Sequence, residues 1–189
     1  MSRSTTAAEG GWLAGVRRVP SPNCDSRPPG AAVTLLVLHA ISLPRGVYGG
    51  DAGGDAIEQL FTNRLDPASH PSFADLAGIR VSSHFLIRRS GALVQFVPLA
   101  RRAWHAGASR WRGREHCNDF SVGIELEGTD HGAFAAAQYG GLATLVRKLQ
   151  WALPVRDIAA HSDVAPGRKS DPGTGFDWPR WLAALARAA

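Results

Sequence analysis

Apolar positions along the chain fall into short runs and helically spaced sets, separated by glycine and proline. Val33–Leu38 is a continuous apolar run bounded by turn signals and predicts a buried strand, with His39 where the chain leaves the sheet. His84–Arg89 and Ala92–Val97, split by Ser90-Gly91, predict a β-hairpin. Val122–Leu126 predicts another strand. Its period of two puts Val122, Ile124 and Leu126 on one face, and Gly123, Glu125 and Glu127 on the other. Leu142, Leu145, Val146, Leu149 and Leu153 follow helical spacing, which Pro154 closes. Ile158–Ala160 is a short strand ending at His161. Trp178, Trp181, Leu182 and Leu185 predict a last helix with Asp177 as its N-cap. A short helix is expected over Asp55–Thr62, irregular structure over 63–80, and a mobile glycine-rich loop over 46–55. Residues 1–10 read as a flexible tail and 11–189 as one domain. The fold class is mixed α/β, with a central sheet flanked by helices.

Bulk properties narrow the function classes. A chain of 189 residues fills one core, and 44% apolar with 20% charged residues is a globular balance. The apolar stretch Ala31–Ile41 is too short to span a bilayer, and the N-terminal sequence lacks the apolar run of a signal peptide, so a cytoplasmic protein is expected. Cys24 and Cys117 are isolated, without a thiolate metal motif; two free thiols is the simpler reading. The net charge of +5 suggests an anionic partner. Its densest stretch holds Arg101, Arg102, Arg110, Arg112 and Arg114, which suits either a solvated loop or a binding surface. No recognition helix with clustered basic residues supports nucleic-acid binding. Six Trp are many for this length, and some are expected to line a groove.

Two of the seven histidines, His39 and His161, each close an apolar strand-like run. Strand ends converge at one rim of a sheet, where α/β folds build sites. One such histidine alone is an ordinary rim residue; two at equivalent positions favour a site. The loop from His161 to Gly173 adds Asp163, Lys169 and Asp171. Catalytic zinc takes three protein ligands from His, Asp and Glu, a set that two His and one Asp complete. On residue chemistry alone, Asp163 and Asp171 compete for the third place. Glu125 or Glu127 can accept a proton from an attacking water, and Lys169 can stabilise an oxyanion.

Several stretches occur in one collinear order over residues 11–181: Leu36-Val-Leu-His39, Arg102-Ala-Trp-His-Ala-Gly107, Cys117-Asn-Asp-Phe-Ser121, Gly123-Ile-Glu-Leu-Glu-Gly-Thr-Asp130, and His161 through Asp171-Pro-Gly173. In these the chain resembles the AmpD-type 1,6-anhydro-N-acetylmuramyl-L-alanine amidases. These belong to a zinc amidase family related to phage lysozyme-type amidases and peptidoglycan recognition proteins. The resemblance implies Zn2+ held by His39, His161 and Asp171, a general base at Glu125 and an electrophilic Lys169. It further implies substrate contacts near Arg80, Trp104 and Arg168, and an anionic muropeptide as substrate. The chain departs from the pattern at Ala40, where Asn is frequent, at His116, where Arg is frequent, and in its longer 46–55 loop. A non-catalytic recognition module generally lacks a full ligand set, which this chain retains.

Overall fold

The computed structural model describes residues 9–49 and 55–188. Most of the expected 1–10 tail and the centre of the 46–55 loop lie outside the described residues. The strands are β1 (Arg17–Arg18), β2 (Cys24–Ser26), β3 (Leu35–Ile41), β4 (Phe85–Ile87), β5 (Leu93–Gln95), β6 (Arg101–Ala103), β7 (Arg110–Trp111), β8 (Arg114–Glu115), β9 (Ser121–Glu127) and β10 (Asp157–Ala160). The helices are α1 (Ala56–Phe61), α2 (Ala136–Ala152), α3 (His161–Val164) and α4 (Trp178–Arg187).

Six strands form the central sheet, in the order β1-β5-β4-β9-β3-β10. The β4–β5 hairpin is its antiparallel part, and every other pairing in it is parallel. Parallel strands are buried on both faces and read as continuous apolar runs. That explains β3, and it corrects the reading of β9. The face carrying Gly123, Glu125 and Glu127 is covered like its opposite, and all seven β9 residues are buried.

One face packs α2 and α4 against Leu36, Leu38, Val122, Ile124 and Leu126 through Leu142, Leu145, Val146, Leu149 and Trp181. The Asp177 carboxylate accepts from the Arg180 N–H at 2.9 Å and starts α4 as expected. Leu182 is 54% exposed, so the apolar stripe of α4 runs through Trp178, Trp181 and Leu185 without it. On the other face Leu35, Val37 and Ala159 meet Ala106, Cys117, Phe120 and Val164. The segment 63–80, expected to be irregular, carries two 3-10 stretches, Pro67–Ser69 and Pro71–Leu76. The short strands β1, β2, β6, β7 and β8 have two or three residues each and too little period to be seen in sequence.

Cys24 and Cys117 are both free. Arg27 is a half-buried strut on the second face. Its guanidinium donates to the carbonyls of Leu99, Asn118, Asp119 and Ser121 and meets His84 Nε2 at 3.1 Å. Burial and this cation hold the His84 imidazole neutral, with its pKa pushed down to about 3.

Candidate metal centre and active site

Register brings the candidate residues together. β3 pairs with β9 so that His39 stands opposite Glu125, and neighbours in register point to the same side of a sheet. β10 pairs with β3 so that Ala160 stands opposite Leu38. One further step sets His161 beside His39. The strand β3 runs to Ile41, so His39 lies inside it, two residues before its end. Pairing with β9 carries the strand that far. After His161 the chain makes the single turn of α3. Asp163 Oδ2 accepts from the Ala160 N–H at 2.8 Å and so caps that turn. The chain then returns, and the Ser162 N–H donates to the Asp171 carbonyl at 3.0 Å. Gly173 follows with φ +78°, a left-handed conformation that suits glycine; an added Cβ would lie 2.0 Å from the Asp130 carbonyl oxygen. The loop is seated at this contact, and Asp171 faces the two histidines.

Three donor atoms converge. His39 Nδ1 is 2.9 Å from His161 Nδ1 and 3.2 Å from Asp171 Oδ2, and His161 Nδ1 is 3.1 Å from the same oxygen. Ligands about 2.0–2.1 Å from a tetrahedral zinc lie about 3.3 Å apart, so the triangle fits that ion within a few tenths of an ångström. His161 Nε2 is 3.3 Å from the Ala106 carbonyl, which can only accept; a proton therefore sits on Nε2, and it is Nδ1 that is left to face a metal. Burial keeps His39 neutral, with its pKa pushed down to about 4 despite the hydrogen bond to Asp171 that opposes the shift. For Asp171, burial works toward protonation, but hydrogen bonds with His161 and His39 outweigh it and hold the carboxyl below the ordinary range. A neutral His39 imidazole and an ionised Asp171 carboxylate are protonation states a metal requires. Asp163, occupied as a cap, is outside the cluster.

Glu125 differs from its neighbour Glu127. Its Oε2 is buried without a hydrogen-bond partner, whereas Glu127 accepts from the backbone N–H groups of Gly49 and Arg89. Burial first, then the negative Asp171, push the Glu125 carboxyl well above its ordinary range; Lys169 partly offsets this. A carboxyl of raised pKa beside a candidate metal-binding cluster is equipped to hold and release a proton. Glu127 instead ties the 46–49 segment and the β4–β5 hairpin to the sheet.

A cavity of about 450 Å³ opens beside the cluster, at the carboxyl ends of β3 and β9. Ala40, Ser42, Thr129, Arg168, Lys169 and Asp171 are among its walls. Lys169 is exposed there. Arg168 lines it too, and its guanidinium donates to the carbonyls of Ala106 and Ala108 at 2.6 and 2.7 Å. Arg80 lines a separate cavity of about 180 Å³, with Leu60 and Leu65. Trp104 is half-buried, its backbone N–H donating to Ser82 Oγ at 3.1 Å. No Trp lines the 450 Å³ cavity; Trp178 and Trp181 stack with Phe176 in the core instead. His116 is exposed at φ 58°, beside a different cavity that also touches Arg168.

The basic stretch is largely neutralised within the molecule. Arg102 pairs with Asp25 and Asp119, Arg110 with Glu115, and Arg112 with Asp157, while Arg114 lies over the Phe120 ring. Four of the five arginines of that stretch lie in β6, β7 and β8 rather than in a loop, and the ion pairs leave less free charge for a binding surface.

His105 is the site residue that residue-by-residue reading passed over. Its Nδ1 is 3.0 Å from His39 Nε2, and its Nε2 is 3.1 Å from Ser121 Oγ. It sits on a loop, where no periodicity marks it. The available signal was Gly123, a residue without a side chain between Ser121 and Glu125 on one face of β9. A Cβ there would meet the His105 ring at 2.5 Å.

Residues 29–174 match the model of the N-acetylmuramoyl-L-alanine amidase family. The 1,6-anhydro-N-acetylmuramyl-L-alanine amidase AmpD of Escherichia coli K12 is 52% identical over 95% of this chain and 97% of its own. A crystal structure of a selenomethionine derivative of AmpD superposes with a TM-score of 0.89 at 51% identity, over 94% of this chain and 98% of the other. The amidase AmiD of E. coli, in complex with anhydro-N-acetylmuramic acid-L-Ala-D-γ-Glu-L-Lys, superposes with a TM-score of 0.57 at 28% identity, over 84% of this chain and 60% of the other. A full-length match to AmpD at this identity, on a fold that gathers His39, His161 and Asp171, makes the chain an amidase of the N-acetylmuramoyl-L-alanine amidase family, of the AmpD type.

Proposed function

We propose that the protein is a zinc-dependent hydrolase of the amide between the lactyl group of 1,6-anhydro-N-acetylmuramic acid and L-alanine, acting on soluble muropeptides in peptidoglycan recycling. The carrying observation is the triangle of His39, His161 and Asp171 beside the unpartnered Glu125 carboxylate. The AmpD relatives, named for that bond, support the substrate. Zn2+ held by the three side chains would supply Lewis acidity, making a water molecule acidic enough to attack at neutral pH and polarising the carbonyl.

The residues of the chain do the rest. Glu125 takes the proton of the attacking water as the C–O bond forms, then returns it to the amine nitrogen as the C–N bond breaks. Its raised pKa suits both halves. Lys169, on the cavity wall, donates to the oxyanion of the tetrahedral intermediate. Arg168, on the same wall, is the best supported of the expected substrate contacts, facing peptide carboxylates. Trp104 is proposed to pack on the sugar, and Arg80 to act from farther out. A soluble, imported substrate implies work in the cytoplasm; among the described residues no helix is long and apolar enough to cross a membrane.

The test is hydrolysis of a 1,6-anhydro-muramyl tripeptide before and after chelation, with zinc added back, alongside intact sacculi. Loss and recovery on the soluble substrate, with little release from sacculi, is the expected result. Full turnover by metal-free protein would overturn the zinc reading, and preference for sacculi the recycling one.

A further inference from the structure

The structure assigns a positioning role to His105 and Ser121: they hold His39 in the one tautomer and orientation that leaves its Nδ1 free for the metal. The inference rests on the zinc reading proposed above.

The two metal histidines differ in how their outer nitrogen is satisfied. His161 Nε2 meets a backbone carbonyl, an obligatory acceptor, so its tautomer is fixed by covalent structure. His39 Nε2 meets another imidazole, 3.0 Å away. An imidazole nitrogen can be donor or acceptor, so this contact alone leaves His39 undecided. If His105 Nδ1 carried the proton, it would donate to His39 Nε2. His39 would then carry its own proton on Nδ1, pointing at His161 and Asp171, and the site would be blocked. The choice passes along the chain to Ser121 Oγ, 3.1 Å from His105 Nε2. A hydroxyl that accepts there keeps the His105 proton on Nε2 and Nδ1 bare. His105 Nδ1 then accepts from His39 Nε2–H, and His39 Nδ1 is released to the metal. With the Ser121 hydroxyl accepting, two rings and a hydroxyl do for His39 what one carbonyl does for His161.

The surroundings are shaped for this task. Ser121 and Gly123 share the β9 face that carries Glu125, and Gly123 gives up its side chain where the His105 ring lies. The Asn118 side-chain oxygen accepts from the backbone N–H groups of His105 and Ala106, at 3.2 and 2.8 Å. One amide therefore fixes both the ring behind His39 and the carbonyl behind His161. Partners behind metal ligands typically contribute about 10- to 100-fold in metal affinity.

The experiment measures zinc affinity by chelator competition in the full chain and in His105→Leu, His105→Asn and Ser121→Ala, with the melting temperature of each metal-free protein as a control. Leu fills the space without an acceptor; Asn presents an oxygen near the position of Nδ1. We expect about 10- to 100-fold weaker zinc binding in His105→Leu, a smaller loss in Ser121→Ala, and recovery of most of the affinity in His105→Asn. The metal-free melting temperatures should not follow that order. Nitrogen NMR of the zinc-loaded parent should find the proton of His105 on Nε2. Equal zinc affinity in all variants, affinity that follows side-chain volume rather than the acceptor, or a proton on His105 Nδ1 would overturn the inference. Should His105→Leu fail to fold, Ser121→Ala, one oxygen smaller, decides it by the same comparison. Failure of the parent itself to bind stoichiometric zinc would instead remove the metal reading, and this inference with it.

Discussion

The two faces of the central sheet are built to different ends from the same strands. Toward α2 and α4, alternate residues of β3 and β9 are Leu, Val and Ile, packed on further Leu and Val with scarcely a polar atom. Toward the 104–121 segment the same strands carry His39, Ser121, Gly123, Glu125 and Glu127. Burying that second face is costly unless each polar group finds a partner. Most do: His39 and Ser121 through His105, and Glu127 through Gly49, Arg88 and Arg89. The Glu125 Oε2 atom does not, and Glu125 is the residue the proposed chemistry uses as its base. The contrast shows that the first face holds the fold together, while the second holds charges and protons where water would otherwise take them.

The sharpest way to break this division is Glu125→Gln. Loss of the proton carrier should lower kcat by about 100- to 10,000-fold while zinc stays bound. In metal-free protein the same change should stabilise. The folded Glu125 keeps its proton at pH values where the unfolded carboxyl has lost it. Below the unfolded pKa of about 4.5 both states are protonated, so the variant gains nothing there. As pH rises from that point toward the folded pKa, the native protein loses stability and the variant does not. Denaturation of both proteins at pH 4 and pH 7 measures the difference. An equal gap at the two values would place the carboxyl in a solvated setting.

Lys169→Met comes next, with an expected fall of about 100- to 1000-fold in kcat and little change in melting temperature, since the side chain is exposed. Steady-state kinetics check it; a rise in KM alone would make Lys169 a binding group. On the other face, Leu142→Ala should cost about 2–5 kcal/mol of stability, because the residue is fully buried against β9 and α4. Its kcat below the unfolding transition should be unchanged. Asp177→Ala removes the α4 cap and should cost about 1 kcal/mol in denaturant melts, with no effect on zinc affinity.

How much of this was legible in the sequence follows the same division. The apolar face announces itself through period and composition: β3, β9, β10 and α4 were expected within three residues of their observed bounds, whereas α2 was expected from Leu142 and begins six residues earlier, at Ala136. His39 and His161 were visible because each terminates such a run. The choice of Asp171 over Asp163 depends on how a loop returns, and on the Asp163 carboxylate being spent on the Ala160 N–H. Residue chemistry alone left that open; the family resemblance named Asp171. The roles of Glu125 and Glu127 were likewise undecided by their pattern. They alternate identically and differ in the partners that Gly49, Arg88 and Arg89, remote in sequence, contribute to Glu127. Extra Trp was expected in a groove, yet the aromatic side chains of Trp178 and Trp181 are spent on core packing with Phe176.

The parallel register that sets His39 beside His161 joins residues 122 positions apart, and Asp171 is 132 positions from His39. No stretch of nearby sequence can gather these donors. Closing loops of that length carries an entropic cost that must be met before any ligand field exists. His161 and Asp171 are only ten positions apart, so it is His39 that ties a metal held by all three side chains to the assembled sheet, unlike finger-like modules whose ligands are all local. Capture of a metal by all three side chains would therefore report that the outermost strand β10 is docked beside β3.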